Sequence, residues 1–312
     1  MAYGRWIMSR CNKAFADKGA SNKDTARKGT ARKASTRKAF ANKAMAAALL
    51  GAAACQAAVA APPPATCAKP VYMTFDTGHM GVAPLVAQVL QKHHVRASFF
   101  LANERTLTNG SSLDDQWAPW WKARVADGDV FGSHTYDHVY WLKDLPDGKF
   151  LVRPSAGPNT GKKEVFTAAQ YCDALNASAR RFHEMTGAKM APLFRAPGGH
   201  TSPALLKAAL ACGYHHVGWA PNGFLGDELP SDKYPNQRLL ERALQSIRPG
   251  DILLAHLGIW SRQDPWAPAV LEPLITGLQA RGFCFETLAQ HPEYAKWVVP
   301  QAAPKQGKPQ PK

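Results

Sequence analysis

From residue 71 onward, short apolar runs alternate with stretches in which apolar residues recur every three or four positions. The short runs predict strands over Val71–Asp76, Arg96–Leu101, Asp129–Ser133, Pro192–Arg195, Tyr214–Trp219, Asp251–His256 and Phe283–Thr287. Helical patterns lie between most of them. "VAPLVAQVLQKHH" sets Leu85, Val86, Val89 and Leu90 on one face. "SPALLKAALACG" opens on a Ser cap followed by Pro and closes on Gly213. "DPWAPAVLEPLITGLQARG" behaves similarly, with prolines interrupting it. Strand–helix alternation predicts a parallel sheet covered by helices, and these strands suit a closed or nearly closed barrel forming one domain. Two excursions interrupt the pattern, 103–117 and 136–166. Loops this long in a compact domain are usually functional.

Charge changes the picture at the ends only. Residues 1–45 carry +10 of the formal +15, and the tail "QAAPKQGKPQPK" a further +3. Residues 61–300 therefore hold +2, and the basic balance says little about the partner of the central domain. "RKGTARKASTRK" resembles a nucleic-acid-binding tail, but nothing in 61–300 matches a phosphate-binding strip or base-stacking motif. No nucleic-acid partner is expected.

The stretch "AMAAALLGAAACQAAVA" is uncharged and Ala-rich, follows Lys43 and ends in small residues. A basic region, an apolar run and a small-residue cleavage site predict a secretory signal peptide cut after Ala60. The organisation expected is a basic leader plus signal peptide over 1–60, a catalytic domain over 61–300 and a disordered basic tail over 301–312. Acylation at Cys55 is the rival reading of the same segment, and a start at Met8 would shorten the leader. The mature protein would be periplasmic or secreted. It would keep Cys67, Cys172, Cys212 and Cys284, an even set that permits two disulfides. Closure of the barrel makes the first and last strands neighbours, which favours Cys67–Cys284. Cys172 and Cys212 fall on successive helices flanking Pro192–Arg195, which favours the second pair; free thiols are the alternative.

The reactive residues fall at strand ends. Asp76 ends the first strand, His134 the third, Arg195 the fourth and His256 the sixth. Taken singly, each suits a core or surface position. Four together at matched C-terminal ends define one rim of a parallel barrel, where catalytic groups gather. His134 and His138 form H-x3-H, and two imidazoles four apart converge on one metal if the chain turns after the strand. Trp117, Trp120, Trp121, Tyr136, Tyr140, Trp141, Trp219, Phe224, Trp260 and Trp266 give the rim an aromatic cast suited to stacking on sugars.

The order "TFDTG", "SHTYDH", "FRAPGG", "LLAH" resembles the polysaccharide deacetylase (NodB-type carbohydrate esterase) family, whose motifs run T-F-D-D-G, H-[ST]-x-x-H, R-x-P-x-[GY], an Asp/Trp motif and L-x-H. The resemblance covers about residues 70–290 and implies a distorted (β/α)7 barrel. It also implies hydrolysis of an N-acetyl or O-acetyl group on a saccharide with a divalent metal, commonly zinc. By that resemblance Asp76 is the general base that activates the metal's water, and His134 and His138 bind the metal. Arg195 orients the base, the Gly198 N–H lies near the developing oxyanion, Leu254 walls the acetyl pocket and His256 is the general acid. Trp219, Trp260 and Trp266 are the candidate sugar-stacking rings, and His200 contacts substrate or solvent. Alternatives are a related C–N hydrolase, such as an aminosugar deformylase or a metal-independent amidohydrolase, and a silent saccharide-binding module.

Two departures matter. Asn222 stands where the Asp/Trp motif places an acid; either Asp227 substitutes or no residue does. Thr77 stands where the family has its third metal ligand, and a neutral hydroxyl is a poor zinc ligand. Three outcomes follow: His79 joins the two histidines, Thr77 and water complete a weaker shell, or no metal binds.

Overall fold

The computed structural model describes residues 67–299, all within a compact unit spanning Pro62–Lys312. The expected leader, cleavage site, Cys55 and basic tail lie outside the described residues. β1 (Pro70–Asp76) is the hub of a parallel sheet. Its upper half pairs with β2 (Ser98–Leu101) on one side, and Tyr72–Asp76 pair with β9 (Ile252–His256) on the other. Its lower half pairs with β10 (Cys284–Glu286). Beyond β2 the sheet continues through β3 (Val130–Ser133), β7 (Leu193–Phe194) and β8 (His215–His216). Between β8 and β9 the described residues form only one isolated bridge, Phe224 to Leu254. The result is a distorted (β/α)7 barrel, and all seven strands read from the sequence are present.

Helices α1 (Ala83–Lys92), α2 (Ala118–Ala126), α3 (Ala168–Thr186), α4 (Pro203–Ala211), α5 (Asn236–Ser246) and α6 (Leu271–Ala280) accompany the barrel. Burial on both faces explains why β1 reads as a continuous apolar run rather than an alternating one. Phe75, Phe99 and Phe131 stack across successive strands at centroid spacings of 5.6 and 5.9 Å. Trp121 is fully buried against Phe99 and Phe131, and Trp117 and Trp120 pack on the same core. These three tryptophans are core residues and not part of the rim, which corrects the sequence reading: α2 turns them inward.

The excursion over 136–166 is an antiparallel sheet of β4 (Val139–Leu145), β5 (Lys149–Pro154) and β6 (Glu164–Phe166). Phe150 and Val152 alternate inward onto Tyr171, Leu175 and Phe194. That apolar face fixes the hairpin over the rim instead of leaving a loose loop.

Both expected disulfides are formed. Cys67–Cys284 ties the entry of β1 to β10, and Cys172–Cys212 ties α3 to the end of α4, each with Cα atoms 6.1 Å apart. Bridges closing loops of this length stabilise by about 3–5 kcal/mol each, chiefly by constraining the unfolded chain.

Candidate active site

Asp76 and His256 are register partners on β1 and β9, so both side chains leave the barrel at the same level. With His134, His138, Glu104, Tyr140, Ser155, Gly198, Trp219, Leu254 and Trp260 they line one cavity of about 410 Å3. Gly78 makes the loop after Asp76 possible. Its φ is +82°, and a Cβ there would lie 2.1 Å from the carbonyl oxygen of Gly258.

Arg195 is fully buried, and its Nη1 donates to Asp76 Oδ1 at 2.8 Å. Its Nε and Nη2 donate to the carbonyls of Val217 and Gly218, and the guanidinium lies 4.3 Å from the Phe100 ring centroid. Burial alone would raise the Asp76 carboxyl. The Arg195 charge, with His134 and His256, outweighs it and holds Asp76 below the usual carboxylate range. Asp76 is therefore an ionised carboxylate whose second oxygen, Oδ2, lies 3.4 Å from His134 Nε2.

The His134–His138 turn is built from strained backbone: Thr135 and His138 have φ of 58° and 48°. Thr135 Oγ1 accepts from the Val139 N–H at 2.7 Å and locks it. The carbonyl of Arg195, which can only accept, lies 2.8 Å from His134 Nδ1, so that nitrogen carries the hydrogen. Burial lowers His134 to about 4, so the ring is neutral at pH 7 and Nε2 bears a lone pair. His138 Nδ1 lies 2.5 Å from Ser155 Oγ, and His138 Nε2 lies 3.2 Å from His134 Nε2. Two ring nitrogens converging in this way suit a cation, and both imidazoles have their other nitrogen held as metal-binding histidines do.

His79 is not part of this convergence. Its Nδ1 accepts from the Gly81 N–H at 3.0 Å, its ring stands edge-on to Trp260, and it lines a smaller neighbouring cavity. As they stand, no three His, Cys, Asp or Glu among the described residues are gathered as a metal shell, so a third ligand beside His134 and His138 would have to swing in as an ion binds. Thr77 Oγ1 instead donates to Glu104 Oε2 at 2.5 Å. Burial would raise Glu104, but His138, the Thr77 hydroxyl, the Gly78 N–H and His134 together lower it below its ordinary range. The sequence reading missed Glu104. The available signal was its place, just past the end of β2 on the same rim.

Asp227, the candidate substitute for the Asp/Trp motif's acid, contacts His256. Its Oδ2 accepts from the His256 backbone N–H at 2.7 Å, and Oδ1 lies 3.1 Å from His256 Nδ1. Burial favours neutral His256, but Asp227, Asp76 and Glu228 outweigh it and push the imidazole up to about 9. His256 is thus an imidazolium at neutral pH. Trp219 lies beside Arg195, and Trp260 stands exposed at the cavity mouth with Arg105 over its ring. Trp266 is buried in the neighbouring cavity instead.

The arrangement sets an ionised carboxylate and a protonated imidazole facing one cavity at the C-terminal rim of a (β/α)7 barrel. A family model for polysaccharide deacetylase matches residues 64–217. A chitooligosaccharide deacetylase of Azorhizobium caulinodans is 27% identical over 70% of this chain and 92% of that protein. A peptidoglycan-N-acetylmuramic acid deacetylase of Bacillus subtilis is 28% identical over 70% of each chain. A CE4 family pseudoenzyme from Bacillus anthracis superposes with a TM-score of 0.53 at 21% identity, over 72% of this chain and 65% of its own, a likeness of fold. The chain belongs to the polysaccharide deacetylase family and is a hydrolase of non-peptide carbon–nitrogen bonds.

Proposed function

We propose that the protein removes the N-acetyl group from an amino sugar of an oligosaccharide or of peptidoglycan by hydrolysis. The observation that carries this reading is the pairing of opposite protonation states in one cavity, Asp76 held ionised by Arg195 and His256 held protonated by Asp227. Asp76 takes a proton from the water that attacks the acetyl carbonyl. Charge developing on the carbonyl oxygen falls near the Gly198 N–H, at a backbone position with φ of +65° where a Cβ would strike Tyr140. His256 gives its proton to the departing nitrogen as the C–N bond breaks, leaving acetate and a free amine. Leu254 bounds the space for the methyl group, and Trp219 and Trp260 offer faces for sugar rings. A divalent cation held by His134 and His138 would add Lewis-acid polarisation of the reacting oxygen.

The test is acetate release from N-acetylated chitooligosaccharides, peptidoglycan fragments and acetylated xylan, with metal content measured on the same sample. Release from an N-acetylated substrate is expected. Absence of release from all of them, with metal present, would sink the assignment.

We infer further that the protein is exported. Two formed disulfides support an oxidising compartment, and polymeric saccharides lie outside the cell membrane. Among the described residues no helix is long and apolar enough to cross a membrane. Mass spectrometry of the protein from its own cell is expected to find a mature chain beginning near Ala61. An intact basic leader would remove the export assignment.

A further inference from the structure

Position 77 has lost the family's third metal ligand, yet the site has not lost a negative charge. β1 and β2 are paired up to Asp76 and Phe100, so the segments leaving them run side by side. Glu104, on the segment after β2, reaches across to the segment after β1. Its Oε2 accepts from Thr77 Oγ1 at 2.5 Å and from the Gly78 N–H at 2.6 Å, and Thr77 Oγ1 in turn accepts from the Ala102 N–H at 3.1 Å. Oε2 is thereby fixed by two donors, while Oε1 has no hydrogen-bond partner among the described residues and the side chain lines the cavity that holds His134 and His138.

The charge balance is one-sided. Asp76 is matched by Arg195, and Asp227 by His256. Glu104 forms no ion pair with any described residue, and its carboxylate is held by hydrogen bonds alone. On the wall of the same cavity His134 and His138 bring their Nε2 atoms to 3.2 Å of each other. A divalent ion would complement the carboxylate and both ring nitrogens.

We propose that Glu104 supplies the anionic ligand missing at position 77, so that His134, His138 and Glu104 together hold a divalent cation. This rests on the deacetylase reading of the site. Thr77 then acts through Glu104: its hydroxyl and the Gly78 N–H hold one carboxylate oxygen, as hydrogen-bonded partners hold ligating carboxylates elsewhere, and the other oxygen is drawn onto the ion as it binds. The swap also leaves Asp76 free to serve as the base, since it need not neutralise the metal.

The experiment is calorimetric titration of chelator-stripped full-length protein with zinc chloride and, in parallel, cobalt chloride, whose visible spectrum reports the ligand set. Glu104→Gln keeps an oxygen that can accept from Thr77 and Gly78 but removes the charge, so thermal unfolding should be nearly unchanged. Its affinity for either ion is expected to fall about a hundredfold or more. Thr77→Asp placed in the Glu104→Gln protein is expected to recover at least about tenfold of that loss, since position 77 adjoins the same spot. His134→Ala is the control and should abolish binding. If His134→Ala loses the ion while Glu104→Gln binds within about threefold of the parent, the Glu104 assignment is overturned and the deacetylase reading stands. If the parent protein binds neither ion, the metal assignment fails altogether, and acetate release decides separately whether the enzyme is a metal-independent hydrolase.

Discussion

Asp76→Asn is expected to lower kcat by about 10²–10⁴-fold, the range associated with removing a positioned general base. The same change should also destabilise the fold, because Arg195 is fully buried and Asp76 is its ion-pair partner. Leaving a buried guanidinium without its carboxylate costs about 3 kcal/mol, moderated here because the Asn oxygen and two backbone carbonyls still accept from Arg195. In a domain of this size that is a fall in Tm of about 6–12 °C. The two effects separate in the double variant Asp76→Asn with Arg195→Met. Removing both charges together should restore most of the lost stability, whereas activity should stay at the level of the single variant. Turnover near that of the parent in a folded Asp76→Asn protein would show that Asp76 is not the base. Loss of activity fully reversed in the double variant would show that the residue matters only for stability.

The barrel was legible because its strands are buried on both faces and its reactive residues interrupt the apolar runs at one end only. Asp76, His134, Arg195 and His256 each close a run of buried residues, and that repeated position marks the rim in the sequence itself. The disulfides were legible for a related reason: once β1 and β10 are taken as neighbours, Cys67 and Cys284 lie close.

What was missed falls into two kinds. The β4–β6 sheet occupies a stretch expected to be a loop, yet it carries a local strand signal. Asp147-Gly148 has φ of 60° and 66°, and an Asp-Gly pair between alternating residues is a strong hairpin marker. Glu104 is the other kind. Its contact with Thr77 joins residues 27 apart in sequence, through strand pairing that no motif spacing encodes. The aromatic residues of α2 fall between: their stacking potential is visible in sequence, but which way Trp121 faces is decided by the core it fills.

His256 gives the second large effect, and its pH dependence identifies its role. Because Asp227, Asp76 and Glu228 outweigh burial and push the imidazole up to about 9, His256 is charged through neutral pH and loses its proton as pH rises through that value. An acid must be protonated to act, so kcat/KM is expected to hold through neutral pH and fall above about 9. Asp227→Asn removes the nearest carboxylate, and burial then pulls the imidazole down. With an acid no higher than the ordinary histidine value, only a few per cent of the enzyme would be correctly protonated at pH 8, so kcat/KM there should fall by about thirtyfold or more. The deficit should shrink as pH is lowered, because the group is still present and only its proton has become scarce. His256→Phe removes the proton donor itself, so its loss, about 10²–10⁴-fold, should be similar at every pH and should carry no limb near 9. A uniform loss in Asp227→Asn, with the alkaline limb unmoved, would mean that Asp227 only supports the His256 backbone through its bond to the N–H and does not set the acid.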